Sequence, residues 1–178
     1  WAPHIYTEVG RKNMDNWIKC GFDNILVTPN YKVHSTLTKL AFENLVNAFQ
    51  PFIIGQKNTA PKIAMKYGIK LIMYGENHAE AHNNIEESLS PLMDKKHYTI
   101  SDKNEQLFYG GVALEDLKKY NITKNDMKIY IPETIEDINK KSIEVHFMSY
   151  YKNWSPQENY YYVKKHANFL SNADGRSE

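Results

Sequence analysis

The spacing of apolar and polar positions changes several times along the chain. Residues 7–19 carry Val9, Met14, Trp17 and Ile18 at roughly helical intervals, and Gly21 stands where a left-handed residue stops a helix. Asn24-Ile25-Leu26-Val27-Thr28 then reads as a short strand closed by Pro29-Asn30. Residues 35–48 place Leu37, Leu40, Ala41 and Leu45 on one helical stripe. The run Phe52-Ile53-Ile54 reads as a second strand ending at Gly55-Gln56-Lys57, and Pro61 fits the first position of a helix that Gly68 stops. Residues 69–74 supply a third strand. Short strands separated by helices of about two to four turns predict an α/β fold with a parallel sheet.

The second half has a different texture. Residues 85–95, 113–120, 123–128 and 132–141 read as short, charged, amphipathic helices, with Thr123 as a cap, and residues 84–142 together read as a helical insertion. Gly110-Gly111 reads as a turn. An extended pattern returns at residues 144–151, E-V-H-F-M-S-Y-Y, as a further strand of the sheet. Ser155-Pro156-Gln157-Glu158 matches a capping box with proline at the first helical position, opening a helix to about Leu170. The span 144–170 is thus a return strand and helix, and the whole of residues 1–178 is expected to form a single α/β domain.

The three early strands all end in turn or polar residues: Thr28-Pro29-Asn30, Gly55-Gln56-Lys57 and Gly75-Glu76-Asn77. In an open parallel sheet these ends share the edge where ligands bind. Glycine there lets backbone approach a ligand, while Lys, Gln, Glu and Asn supply charge, donors and oxygen ligands. The third end is the densest, because Leu71-Ile72-Met73-Tyr74 passes at once into Gly75, Glu76, Asn77, His78, Glu80 and His82. His78 and His82 stand four apart, but the string H-A-E-A-H lacks the glutamate directly after the first histidine that a zinc protease helix requires. Glu76, at the strand end itself, suits contact with a magnesium-bound phosphate better.

Composition narrows the classes. With 22 basic and 21 acidic residues the net charge is +1, which gives no electrostatic footprint for nucleic acid. No apolar run approaches the roughly 18 residues of a membrane span. The lone Cys20 cannot form an internal disulfide and fits a cytoplasmic location. No G-x-G-x-x-G, G-x-x-x-x-G-K-[ST] or G-x-S-x-G string occurs, so covalent catalysis has little support. Residues 147–162 hold seven aromatics, a set suited to core, interface or an aromatic wall for a sugar.

Six strings taken together carry a resemblance: W-A-P-H at 1–4, G-F-D-N-I-L-V-T-P-N at 21–30, L-A-F-E-N-L at 40–45, F-Q-P-F-I-I-G-Q-K at 49–57, L-I-M-Y-G-E-N at 71–77 and W-S-P-Q-E-N-Y-Y-Y at 154–162. The chain resembles the N-acetyl sugar amidotransferase family, whose members act in bacterial lipopolysaccharide and pseudaminic acid-type flagellin glycan synthesis. The resemblance implies a Rossmann-like domain of the ATP pyrophosphatase type. It also implies ATP and Mg2+ as cofactors, a sugar or sugar-nucleotide substrate, and a separate glutaminase partner that supplies ammonia. In the implied reaction the acetamido oxygen of the sugar attacks the α-phosphate of ATP, pyrophosphate leaves, and ammonia displaces AMP to give an acetamidino group. Neutralising phosphate charge and aligning the attacking oxygen are the chemical demands.

By position, the resemblance matches Trp1 and Ala2 to a strand end that holds adenine, and Gln56 and Lys57 to the next strand-end loop, facing phosphate or sugar. It matches Gly75, Glu76 and Asn77 to the loop after that, with Glu76 toward magnesium or substrate. The implied catalytic pair is Glu76 and Lys57. The family's S-G-G-K/R-D-S phosphate loop and its cysteine pairs do not occur in this sequence. The chain is therefore expected to be an internal piece that does not cleave ATP alone. The rival expectation is a non-catalytic module that binds a sugar nucleotide or docks a glutaminase or synthase.

Overall fold

The computed structural model describes residues 1–75 and 89–172. They pack as two units: Trp1 with Thr28–Tyr151, and Ala2–Val27 with the residues from Lys152 on. Among the described residues no helix is long and apolar enough to cross a membrane.

In the first unit, α2 (Tyr31–Leu45) begins at Asn30, whose side-chain oxygen accepts from the amides of Lys32 and Val33. Its predicted stripe is buried at Leu37, Leu40 and Ala41, joined by Val33, while Leu45 is exposed. The next helix, α3 (Gln50–Tyr67), corrects the sequence reading. Phe52-Ile53-Ile54 lies inside it, Gly55-Gln56-Lys57 is mid-helix rather than a strand end, and Pro61 is an interior residue rather than a helix start. The physical reason is the buried face: Pro51, Gly55, Asn58, Pro61 and Ala64 recur at helical spacing and turn inward together. Gly55 is required there, because a Cβ on it would lie 2.5 Å from Cη2 of Trp1. The helix stops at Gly68, which adopts φ 69° as expected.

Strand β1 (Leu71–Tyr74) pairs in parallel with β6 (Glu144–Phe147), Leu71 opposite Glu144 and Tyr74 opposite Phe147. The return strand expected near residue 144 is therefore present beside the third expected strand. On its other side β6 makes a short antiparallel exchange with residues 91–93: the Val145 carbonyl accepts from the Met93 amide, and the Phe147 amide donates to the Pro91 carbonyl. Ile72 and Tyr74 face the cluster of Ala64, Tyr98, Ile138, Ile143 and Val145, whereas Leu71 and Met73 remain exposed. One face of this pair is covered, so β1 is not the doubly buried strand its apolar run predicts.

The span read as a helical insertion also holds four short strands: β2 (Thr99–Ile100), β3 (Phe108–Tyr109), β4 (Val112–Ala113) and β5 (Glu133–Thr134). Strands β2 and β5 pair in parallel, and β3 and β4 form a two-residue hairpin across Gly110-Gly111, both at positive φ. That turn is pinned by Gln50, which accepts from the Gly110 amide, and by Asn44, which donates to the Gly110 carbonyl. Pairs of two residues leave no readable alternation, which is why they escape a sequence reading. Of the other expected helices, 113–120 is a 3-10 helix at Leu114–Tyr120 and 132–141 shortens to α4 (Ile135–Lys140), capped by Thr134, while 123–128 forms turns rather than a helix and 85–95 lies partly outside the described residues. The unit is a mixed helix and strand structure with short parallel sheets, compatible with an α/β fold.

The second unit is built on α1 (Glu8–Lys19) and α5 (Pro156–His166). Thr7 caps α1 by accepting from the Gly10 amide. Asn13 exchanges two hydrogen bonds of 2.8 Å with the backbone of Leu170, and Asn16 donates to the Asn168 carbonyl. Residues 24–28 form no strand; of these the Val27 carbonyl accepts one bond from the Ala2 amide. At α5 proline occupies the first turn, but Ser155 makes no capping hydrogen bond.

Candidate functional site

The inward rotation of α3 sets the site. With Gly55, Asn58 and Pro61 turned to the core, Ile54, Lys57 and Asn58 form one wall of a cavity of about 220 Å³. The facing wall comes from the 3-10 turn Lys95–His97 and β2, and a third side from Leu107 and β3. Tyr130 and Pro132 close it from the segment that precedes β5.

The floor is a satisfied polar knot. The Tyr130 carbonyl accepts from Asn58 Nδ2 at 2.5 Å and from the Tyr109 hydroxyl at 3.1 Å, while the Tyr130 hydroxyl is 2.8 Å from His34 Nδ1. Burial pushes both the Tyr109 and Tyr130 phenols far above the usual range, so they stay neutral. Tyr98 is pushed up to about 12, by burial first and then by the negative charges of Glu144 and Asp94. Its hydroxyl is buried and has no hydrogen-bond partner among the described residues.

The rim is charged. Lys57 is half-buried and makes no hydrogen bond or ion pair among the described residues. Lys96 pairs with Asp94 at 2.9 Å, and the Lys96 backbone amide and then its side chain hold the Asp94 carboxyl below its ordinary value. Glu105 accepts from the Ser101 amide at 2.6 Å. Lys57, Lys96, His97, Thr99, Glu105 and aromatic residues line this space, a mixed polar and aromatic set that suits a compact anion on its lysine side or a hydroxyl-rich ring. The volume lies below the roughly 300–1,000 Å³ of drug-sized sites, so a sugar-sized or phosphate-sized group fits and a whole nucleotide does not.

Of the residues nominated from sequence, Lys57 lines the cavity and Gln56 beside it is exposed on α3. Trp1 packs against the same helix at Gly55, with its ring 5.5 Å from that of Tyr130 and 6.0 Å from that of His34. Ala2 is buried in the second unit, and Gly75 is exposed at the end of β1. Glu76 and Asn77, with His78, Glu80 and His82, lie outside the described residues. Among the described residues no group of three His, Cys, Asp or Glu side chains is placed to hold a metal ion. The residues that sequence reasoning missed are Lys96, His97, Thr99 and Glu105. Their one local signal is the basic run Lys95-Lys96-His97 directly after Asp94. No protein-family model matches the chain, and no match to it is found among curated proteins.

Proposed function

We propose that the chain is part of an ATP-dependent amidotransferase that converts the N-acetyl group of a sugar into an acetamidino group through an adenylylated intermediate and ammonia, in bacterial lipopolysaccharide or flagellin glycan synthesis. In this reading the Lys57 cavity takes the sugar or phosphate end of a sugar nucleotide, with the rest of the nucleotide outside it. Lys57 supplies a cation to the ligand's phosphate, and the Glu105 carboxylate and the Thr99 hydroxyl oxygen, whose proton is donated to the Lys95 carbonyl, supply acceptors for sugar hydroxyls. The observation that carries the reading is Lys57 itself: a residue nominated by the family resemblance is half-buried, without an ionic partner among the described residues, in the wall of a sugar-sized cavity.

Calorimetric titration with a UDP-N-acetyl sugar tests it. Binding that weakens about tenfold or more on Lys57→Ala supports Lys57 as the contact to the sugar nucleotide, which a non-catalytic binding module would share, as loss of a hydrogen bond to a charged group removes about 1.5–3 kcal/mol. Absence of binding, or affinity indifferent to Lys57, overturns it. Because the sequence contains no S-G-G-K/R-D-S phosphate loop, the chain by itself is expected to show no ATP–pyrophosphate exchange.

A further inference from the structure

A second cluster lies on β6, apart from the cavity. Strand alternation sends Val145 and Phe147 into the core and puts Glu144 and His146 together on the opposite face. The chain then makes a 3-10 turn at Met148–Tyr150, closed by the Tyr151 amide donating to the Met148 carbonyl, which folds Tyr151 back over His146. The two rings are 5.9 Å apart and 7° from parallel. His146 Nδ1 is 2.6 Å from the Tyr151 hydroxyl, and Nε2 is 3.1 Å from Glu144 Oε2.

The bonding roles follow from chemistry. A carboxylate only accepts, so Nε2 carries the imidazole proton and donates it to Glu144. In the neutral ring Nδ1 is then the acceptor, and the Tyr151 hydroxyl must donate to it. This order of carboxylate, imidazole and hydroxyl is the arrangement that activates a hydroxyl nucleophile: the base takes the proton and the carboxylate stabilises the imidazolium. The His146 side chain is only 14% exposed, whereas Tyr151 is 55% exposed, so the base is sheltered and the nucleophile open.

We propose that Glu144, His146 and Tyr151 form a proton relay that makes the Tyr151 oxygen a nucleophile toward activated acyl donors. In the step, an oxygen lone pair forms the bond to the acyl carbon as the phenol proton passes to His146 Nδ1. The bond to the leaving group breaks with its electron pair, and the leaving group takes the proton back from Nδ1. Glu144 is a positioning residue, acting through the tautomer and orientation of the ring.

Tyr150 gives an internal control. It adjoins Tyr151 in sequence, is 52% exposed, and has no imidazole hydrogen bond among the described residues. The intact protein is treated with N-acetylimidazole and acetylation at each tyrosine is followed by peptide mass mapping. Tyr151 is expected to react about a hundredfold faster than Tyr150 or more, the low end of what a positioned base contributes. His146→Gln should bring the ratio near one with the Tyr150 rate unchanged, and Glu144→Gln should give a ratio between the two. Nitrogen NMR of the native ring should show the proton on Nε2, and this reading survives if a variant fails to fold. Equal or slower reaction of Tyr151 in the native protein, a ratio that persists in His146→Gln, or a proton on Nδ1 overturns the proposal.

Discussion

Replacing a glycine by alanine inside a helix ordinarily stabilises it by about 1 kcal/mol, because glycine loses more backbone freedom on folding. Gly55 should reverse that sign. It sits within α3, and an added Cβ would lie 2.5 Å from Cη2 and 2.6 Å from Cε2 of Trp1, closer than such atoms approach. The ring has little room to yield, being set edge-on to Tyr130 and beside His34. Overpacking costs about 1–3 kcal/mol, and a clash with several ring atoms belongs at the upper end, about 3. Set against the helical gain of about 1, Gly55→Ala should lose about 2 kcal/mol. In a Trp1→Ala background the obstacle is gone, and the same substitution should gain about 1, giving a coupling energy of about 3 kcal/mol. Urea unfolding of the four proteins, followed by far-ultraviolet circular dichroism, measures the cycle. Stabilisation by Gly55→Ala in both backgrounds by the same amount would refute the packing of Trp1 on α3.

Two other substitutions probe the cavity walls. Asn58→Ala and Tyr109→Phe each remove one of two donors to the buried Tyr130 carbonyl and should each cost about 1 kcal/mol, but together they orphan it and should cost more than their sum by about 1 kcal/mol or more; strict additivity in the same urea assay counts against the knot. The Tyr98 phenol holds its proton to about 12 in the folded state, against about 10 in an unfolded chain, so its contribution is complete below pH ~10 and is lost as pH rises from ~10 to ~12. Since its hydroxyl has no partner among the described residues, Tyr98→Phe should raise stability by about 1 kcal/mol near neutrality and flatten the alkaline fall of the urea midpoint; a less stable variant with an unchanged alkaline slope contradicts this.

What the sequence disclosed follows from how each element is held. Helices α1 and α2 were legible from apolar spacing, Leu37, Leu40 and Ala41 lying along the inner face of α2; its start was not, because Asn30 read as the close of a strand and the helix as beginning at residue 35, whereas Asn30 caps a helix that starts at Tyr31 and buries Val33. The pairing partner of β1 was legible because residues 144–147 alternate, Val145 and Phe147 inward. Helix α3 was misread for the opposite reason. Its buried stripe is Pro51, Gly55, Asn58, Pro61 and Ala64, which offers almost no hydrophobic contrast, so the three apolar residues 52–54 carried the pattern by themselves. Two of those stripe residues are strong breakers by propensity, an interior proline costing about 3 kcal/mol. Tertiary burial against Trp1 and the Tyr130 segment overrides the local preference, which a single sequence does not reveal.

The same misreading bears on the site. As a strand-end residue, Lys57 would face the crevice beyond the carboxyl end of a sheet, among loops from neighbouring strands. As a residue of α3 it faces residues 96–109 instead, and Lys96, His97 and Glu105, which line the same cavity, come from about 40 to 50 positions downstream. Pro61 adds a local consequence, since it has no N–H to offer the Lys57 carbonyl one turn earlier, leaving an acceptor beside the lysine stem. The rotation that gives Lys57 this outlook is fixed by Gly55 against Trp1 on one side and Asn58 against Tyr130 on the other. Gly55→Ala and Asn58→Ala therefore test more than stability. Each should weaken the sugar-nucleotide binding proposed above in a chain that is still folded, although neither side chain carries charge, because each lets α3 turn and carries Lys57 away from the facing wall.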